Sequence, residues 1–322
     1  MKQDNALQVY YDEKLVGTLA MTANRKAAFQ YTDEWLEHGF SISPFSLPLK
    51  KQVFVPTKDY FGGLYGVFAD SLPDNWGRLL LNRLLREHKQ DPDKLTVLDR
   101  LAIVGKSGMG ALTYYPERKF PEQRDNPDLD ELARECQKIL NTEYTDKLDE
   151  LYRLGGTSGG ARPKIMTSIG NEEWIIKFPA HVDGKDAGKM EYDYSCCARQ
   201  CGIAMSKARL FPSDKCEGYF GTKRFDRMMD NGSQKRIHML TAAALLELDF
   251  EQPSLDYHSL MKLTKILTRD HPEDVNNMFR RMCFNVFAHN RDDHSKNFTY
   301  LYHDAEDCWR LSPAYDLTYS NT

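Results

Sequence analysis

Asn290-Arg291-Asp292-Asp293-His294-Ser295-Lys296-Asn297-Phe298 sets acids, an ammonium and a carboxamide side by side, and the aromatics Phe298, Tyr300 and Tyr302 follow at alternate positions. That alternation marks a strand leaving a charged turn. A solvated turn accounts for the charge but not for the aromatic strand joined to it. A further carboxylate, Asp316 in Pro313-Ala314-Tyr315-Asp316-Leu317, lies 24 positions after Asp292.

An Arg-Asp pair with Asn five positions after the Asp, and a second Asp beyond, is the spacing of a protein-kinase catalytic loop and its metal-binding acid. Phosphoryl transfer needs such groups because its transition state is mainly charge to be positioned and screened. Asp292 would accept the proton of a hydroxyl, and Lys296 would neutralise the transferred group. Asn297 and Asp316 would hold magnesium, which prefers oxygen donors from one or two carboxylates plus phosphate.

Upstream, Gly155-Gly156-Thr157-Ser158-Gly159-Gly160 precedes the strands 165–169 and 173–179, with a turn at Gly170-Asn171. Glycine lets backbone N–H groups approach phosphate oxygens, although such a run alone is equally a flexible loop. Lys177 shares a strand face with Ile175 and can reach the same oxygens. A helix over 190–201 follows, opened by Glu191. That acid is either the partner that fixes Lys177 or a first-turn residue favoured by the helix dipole. Gly105-Lys106-Ser107-Gly108-Met109-Gly110 has Arg100 where a nucleotide P-loop needs glycine, and reads instead as a tight turn into strand 111–115.

His289, Asp292, Asp293 and His294 support a competing reading, a metal-dependent phosphohydrolase that activates water on a transition metal. It leaves Lys177 and the glycine run without a role, and the remaining histidines show no helical His-x-x-x-His pair. A kinase-like binding module without activity is the third reading; the retained Lys177, Asp292, Asn297 and Asp316 argue against it.

Short strands are expected at 7–10, 15–19 and 27–31, helices from Pro73-Asp74-Asn75-Trp76 and over 96–103 and 129–140, and a Pro-rich charged linker over 116–128. Strands 208–211 and 219–225 come next, and the remainder to Asn290 is read as mostly helical. Its longest element starts at Pro272 and carries Val275, Met278, Phe279, Met282, Phe284, Val286 and Phe287.

With 322 residues, 41% hydrophobic and 11% aromatic, the chain supports a folded core. A net charge of −4 and a pI near 6.2 give no overall basic field for nucleic acid. Seven scattered cysteines do not form a disulfide framework. Cys196, Cys197 and Cys201 are taken as buried thiols on a helix, in a reducing compartment. No signal peptide or membrane-length apolar run is visible, so a soluble cytoplasmic protein is expected.

Together these stretches resemble the HipA-like serine/threonine kinases, toxins of bacterial toxin–antitoxin modules. The resemblance is carried by 156–164, by Ile175-Ile176-Lys177-Phe178-Pro179, by 290–298 and by Leu311-Ser312-Pro313-Ala314-Tyr315-Asp316-Leu317. Lys223-Arg224-Phe225-Asp226-Arg227 resembles the join between kinase lobes. Leu15-Val16-Gly17 and 68–77 extend the likeness to the N-terminal part. It implies an α+β, two-lobed protein-kinase-like fold with an N-terminal β-rich subdomain and a mainly helical C-terminal lobe. Four segments are expected: the subdomain 1–115, a linker and helix 116–150, an N-lobe-like region 151–227 with the Gly-rich loop, and a C-lobe 228–322. Family members continue with a further helical region beyond the Asp316 motif, so the C-lobe is expected to be truncated or supplied by another chain.

The resemblance further implies ATP and Mg2+ as cofactors. Thr157, Ser158, Gly159, Gly160 and Lys177 would face the nucleotide phosphates, with backbone groups near Lys223 and Phe225 against the adenine. Thr157 and Ser158 occupy the place of the family's autophosphorylated serine. It also implies a helix-turn-helix antitoxin as partner, operator DNA reached only through that partner, and an aminoacyl-tRNA synthetase as protein substrate.

Overall fold

The alternation of the first thirty residues folds as an antiparallel sheet. In strand β1 (Ala6–Tyr11), Leu7, Val9 and Tyr11 are buried while Ala6 and Gln8 are exposed. Strands β2 (Lys14–Met21), β3 (Ala27–Tyr31) and β4 (Leu112–Tyr115) complete the order β3-β2-β1-β4. The computed structural model describes residues 5–118, 128–230, 232–249, 252 and 254–320; most of the expected 116–128 linker lies outside them.

Helix α1 (Asp33–His38) starts where the Thr32 hydroxyl accepts the Trp35 N–H. After α2 (Gly66–Ala69), helix α3 (Asn75–Glu87) buries Trp76, Leu80, Leu81, Leu84 and Leu85 along one face. Truncating any of these leucines to alanine would cost about 2–5 kcal/mol. Helix α4 (Val97–Val104) opens with a reciprocal capping box between Thr96 and Asp99. Helix α5 (Leu129–Leu140) matches the expected span, whereas α6 (Leu148–Gly155), which runs into the Gly-rich loop, was not anticipated.

Strands β5 (Lys164–Ile169), β6 (Glu172–Lys177), β7 (Ala208–Phe211) and β8 (Tyr219–Lys223) form a second antiparallel sheet, ordered β5-β6-β8-β7. Helix α7 (Ala187–Gln200) begins three residues before the expected 190, so Glu191 lies in its second turn rather than opening it. The thiols on this helix depart from expectation: Cys197 and Cys201 are exposed and Cys196 is half-buried.

The mostly helical reading of the next stretch needs correction. Residues 227–241 hold a hairpin, β9 (Arg227–Asp230) with β10 (Ser233–Arg236), and then β11 (Met239–Thr241). Helices α8 (Ala242–Leu246), α9 (Tyr257–Leu267) and α10 (Pro272–Phe287) follow. Strands β12 (Thr299–His303) and β13 (Cys308–Leu311) join β11 in a three-stranded sheet. Of the apolar residues on α10, Met278 and Phe284 are buried but Phe279, Val286 and Phe287 face outward.

Two large cores cross the segments read from the sequence. One joins the N-terminal sheet to β11, α8, α9 and β12 through residues such as Phe68, Leu245, Leu263 and Tyr300. The other packs α3, α5 and α6 against β5, β6 and β8. The N-terminal segment therefore contributes to both cores.

Candidate active site

Lys177 ends β6 on the face opposite Trp174 and Ile176, which are buried below the sheet. Its ammonium lies 2.5 Å from Glu191 Oε1 on α7 and in direct contact with Asp316 Oδ1. The strand Lys thus meets both the helix acid and the distant second carboxylate. Burial alone would drive the Lys177 pKa down; the Asp316 and Glu191 carboxylates outweigh it and keep the ammonium charged. Asp316 is the mirror case. Burial opposes its charge, but Lys177 and then Lys164 hold its carboxyl down at about 2. Its φ of 54° is left-handed, a conformation that costs a non-glycine residue of order 1 kcal/mol and that persists where surrounding structure enforces it.

The loop carrying Asp292 is tied to Asp316 through Asn290. Asn290 Nδ2 donates to the Asp316 carbonyl at 3.3 Å, and Asn290 Oδ1 accepts the Asp292 N–H at 3.3 Å. Asn285 on α10 in turn accepts from Asn290 Nδ2 at 3.0 Å. Beside them, Tyr315 O–H donates to the Lys296 carbonyl at 2.6 Å. Asp292 itself is open to solvent, its side chain 59% exposed, with Oδ1 3.6 Å from His294 Nε2. An acid that must meet an incoming hydroxyl has to be reachable in this way. Asn297 Nδ2 donates to the Asp292 carbonyl at 2.5 Å, which leaves the amide oxygen as its acceptor. That oxygen and an ionised Asp316 are hard donors that fit magnesium.

The Gly-rich loop is less open than its composition suggests. Thr157 and Ser158 are 6% and 1% exposed. Their hydroxyls donate to Ser107 O at 3.0 Å and Gly155 O at 2.6 Å. Gly160 takes a φ of +85°, where a side chain would be strained. Lys164, buried at the start of β5, reaches back to donate to Gly159 O at 2.6 Å. Burial and then neighbouring Lys177 push the Lys164 pKa down. Lys164 thus adds a second ammonium beside Lys177, and Lys164↔Lys177 is also a register pair of the sheet. No role was assigned to it in the sequence, although it closes the 156–164 stretch.

Other expected residues fall apart from this group. Lys223 pairs at 3.1 Å with Glu172, the first residue of β6, while Lys177 is its last. Its side chain is therefore remote from the Lys177 end of the strand. The Phe225 ring lies 5.6 Å from that of Tyr315, between the lobes. The four residues of the hydrolase reading do not converge. Asp293 is bound by Tyr257 O–H at 2.5 Å, and among the described residues no three His, Cys, Asp or Glu side chains are grouped to hold a metal ion. A magnesium–nucleotide site needs fewer protein carboxylates, because phosphate completes it. Among the described residues no helix is long and apolar enough to cross a membrane.

Comparison with known proteins gives a consistent picture. The family model described as HipA N-terminal domain matches residues 7–115, and that described as HipA-like C-terminal domain matches 156–322. The Sinorhizobium fredii protein named "Putative kinase Y4mE" is 25% identical, over 97% of this chain and 76% of its own length. "Putative kinase Y4dM" of the same organism is 22% identical over 94% and 74%. Among solved structures, the HipA–HipB toxin–antitoxin complex of Shewanella oneidensis MR-1 with its operator DNA superposes with a TM-score of 0.71. It is 19% identical and covers 97% of this chain and 76% of its counterpart, a likeness of fold.

Proposed function

Because this chain belongs to the HipA-like kinases, we propose that it transfers the γ-phosphoryl group of ATP to a serine or threonine hydroxyl of another protein, as the cytoplasmic toxin of a toxin–antitoxin pair. The observation that carries the reading is the contact of Lys177 with both Glu191 and Asp316, with Asn290 fastening the Asp292 loop to the same place.

Lys177, held by Glu191, is aimed to bind phosphate oxygens, and its register partner Lys164 contacts the Gly159 backbone. Asp292 accepts the substrate hydroxyl proton, and Lys296 screens the charge of the group in transfer. Asn297 and Asp316 are the residues that would hold magnesium, which when bound neutralises phosphate charge. Backbone groups around Lys223 and Phe225 would face the adenine. The acceptor protein is read from the family likeness as an aminoacyl-tRNA synthetase. A helix-turn-helix antitoxin would be the partner that brings the complex to operator DNA; the HipA–HipB–operator likeness supports this, and the net charge of −4 gives the chain no overall basic field of its own.

Regulation by autophosphorylation at Thr157 or Ser158 requires the loop to move, since both hydroxyls are spent on carbonyls inside the protein. A phosphate there adds about −2 charge to a buried turn and would expel it, switching transfer off. A Thr157→Ala/Ser158→Ala double variant that still gains loop phosphate would refute this.

The direct test is incubation with labelled ATP and magnesium. The parent should label protein, and Asp292→Ala should lose about 100-fold or more in rate. Because Asp292 is exposed, its removal should leave the thermal midpoint nearly unchanged. Equal labelling by parent and variant would end the proposal.

A further inference from the structure

Asp74 occupies the N-cap of α3, where a carboxylate ordinarily accepts amide protons from its own first helical turn. Its side chain makes no such bond. Instead Oδ2 accepts the Gly160 N–H at 3.1 Å, and Oδ1 contacts the Lys296 ammonium. Two residues on, the Trp76 N–H donates to the Gly160 carbonyl at 3.2 Å. Gly160 is thus gripped at both its N–H and its C=O by the 74–76 turn. The other end of the Gly-rich loop rests on Gly77, where an added Cβ would stand 2.6 Å from Gly156 O. The ion pair is sheltered, its side chains 21% and 15% exposed.

One carboxylate therefore touches the loop that would cradle phosphate and the ammonium that would screen it. We infer that Asp74 is a positioning residue for phosphoryl transfer: it sets the separation between the Gly-rich loop and Lys296, making the N-terminal subdomain a working part of the cleft. The kinetic half of this inference rests on the kinase reading above; the structural half does not. Misplacement of a reacting group by about 1 Å costs about 100-fold in rate, so a fixed spacer between two charge-bearing elements has a large effect to exert.

Four variants test it: Asp74→Asn, Asp74→Ala, Lys296→Met and Asp74→Asn/Lys296→Met. Amide hydrogen exchange compares the 156–164 loop with the α3 interior, 79–86. Asp74→Ala should speed loop exchange about tenfold while the helix interior holds, whereas Asp74→Asn, whose amide oxygen still accepts the Gly160 N–H, should preserve loop protection. In turnover, Asp74→Asn should lower kcat about tenfold with little change in the KM for ATP, because only the contact to Lys296 is lost. Asp74→Ala should also raise KM. Added to Lys296→Met, Asp74→Asn should have almost no further effect, since the two act as one unit. Unchanged loop exchange in Asp74→Ala overturns the inference, as do multiplicative effects of Asp74→Asn and Lys296→Met. Exchange needs no turnover, so a chain without kinase activity but with an Asp74-dependent loop would sink the proposed function and leave the spacer standing.

Discussion

Lys177→Met keeps the aliphatic stem and removes the charge from between two carboxylates. Asp316 is held at about 2 against an ordinary 3.8. At about 1.4 kcal/mol per unit that difference is worth about 2.4 kcal/mol, reduced by solvent screening to roughly 1–2 because a third of the side chain is exposed. Glu191, 6% exposed, loses a partner at 2.5 Å, and breaking one side of a buried pair costs about 3–5 kcal/mol. Both losses come from one ammonium and overlap, so about 3 kcal/mol is expected in all. The pH dependence carries the test. In the parent, the Asp316 contribution is complete above its unfolded value and disappears as pH falls through about 2. In the variant, burial is opposed only by Lys164 and His294, so the Asp316 pKa rises from its parent position and the carboxylate's contribution shrinks. The gap between parent and variant should therefore be reduced near pH 2 and full above about pH 6. Urea midpoints at the two pH values measure it. A gap of the same size at both, or one under about 1 kcal/mol at neutral pH, would refute the reasoning.

Asp70 is pushed up to about 6 by burial, against the pull of Lys296. A raised carboxyl is stabilising while protonated and loses that contribution as pH rises through about 6; for a half-buried side chain the loss is roughly 1–2 kcal/mol between pH 4 and 7. Urea titrations of Asp70→Asn should lack this slope. Gly77→Ala should gain up to about 1 kcal/mol in helix propensity but lose about 1–3 to the clash with Gly156, lowering the midpoint and weakening ATP binding together. Tight nucleotide binding by this variant would break the link between α3 and the Gly-rich loop. ATP with magnesium at 100 times its Kd should stabilise the chain by about 2.7 kcal/mol. Asp316→Ala should abolish the magnesium-dependent part of that gain, as thermal shifts with and without the metal would show.

Long periodic elements could be read from the sequence because their signals are local. Strands β1 to β3, helices α3 to α5 and α10 follow alternation, capping and 3-to-4 spacing. Strands β9 to β11 escaped because three or four residues carry no measurable period, and β11 pairs with a strand far along the chain, Met239 opposite Leu301. Helix α6 escaped because its last residue, Gly155, was absorbed into the glycine run. The thiols of α7 were misassigned because helical periodicity identifies a face without saying which face the neighbours cover.

At the site the division is sharper. The meeting of Lys177, Glu191 and Asp316, with the Asp292 loop tied beside them, was legible because the proposed phosphoryl transfer demands those residue types at those spacings. Asp74 and Lys164 were not, and for opposite reasons. Lys164 merely closed the 156–164 stretch with no role of its own, and only folding buries it against Gly159 O. Asp74 already had a sufficient local explanation at the start of a helix, yet its partners lie 86 and 222 positions away in the chain. Helix α3 can spare its cap because Trp76 and four buried leucines hold it by tertiary packing. A carboxylate released from capping, an aspartate in left-handed backbone and a buried lysine all depart from local rules within the same cleft. Such departures persist only where the surrounding fold enforces them, and their convergence on one place supports the proposed cleft more strongly than any one motif does.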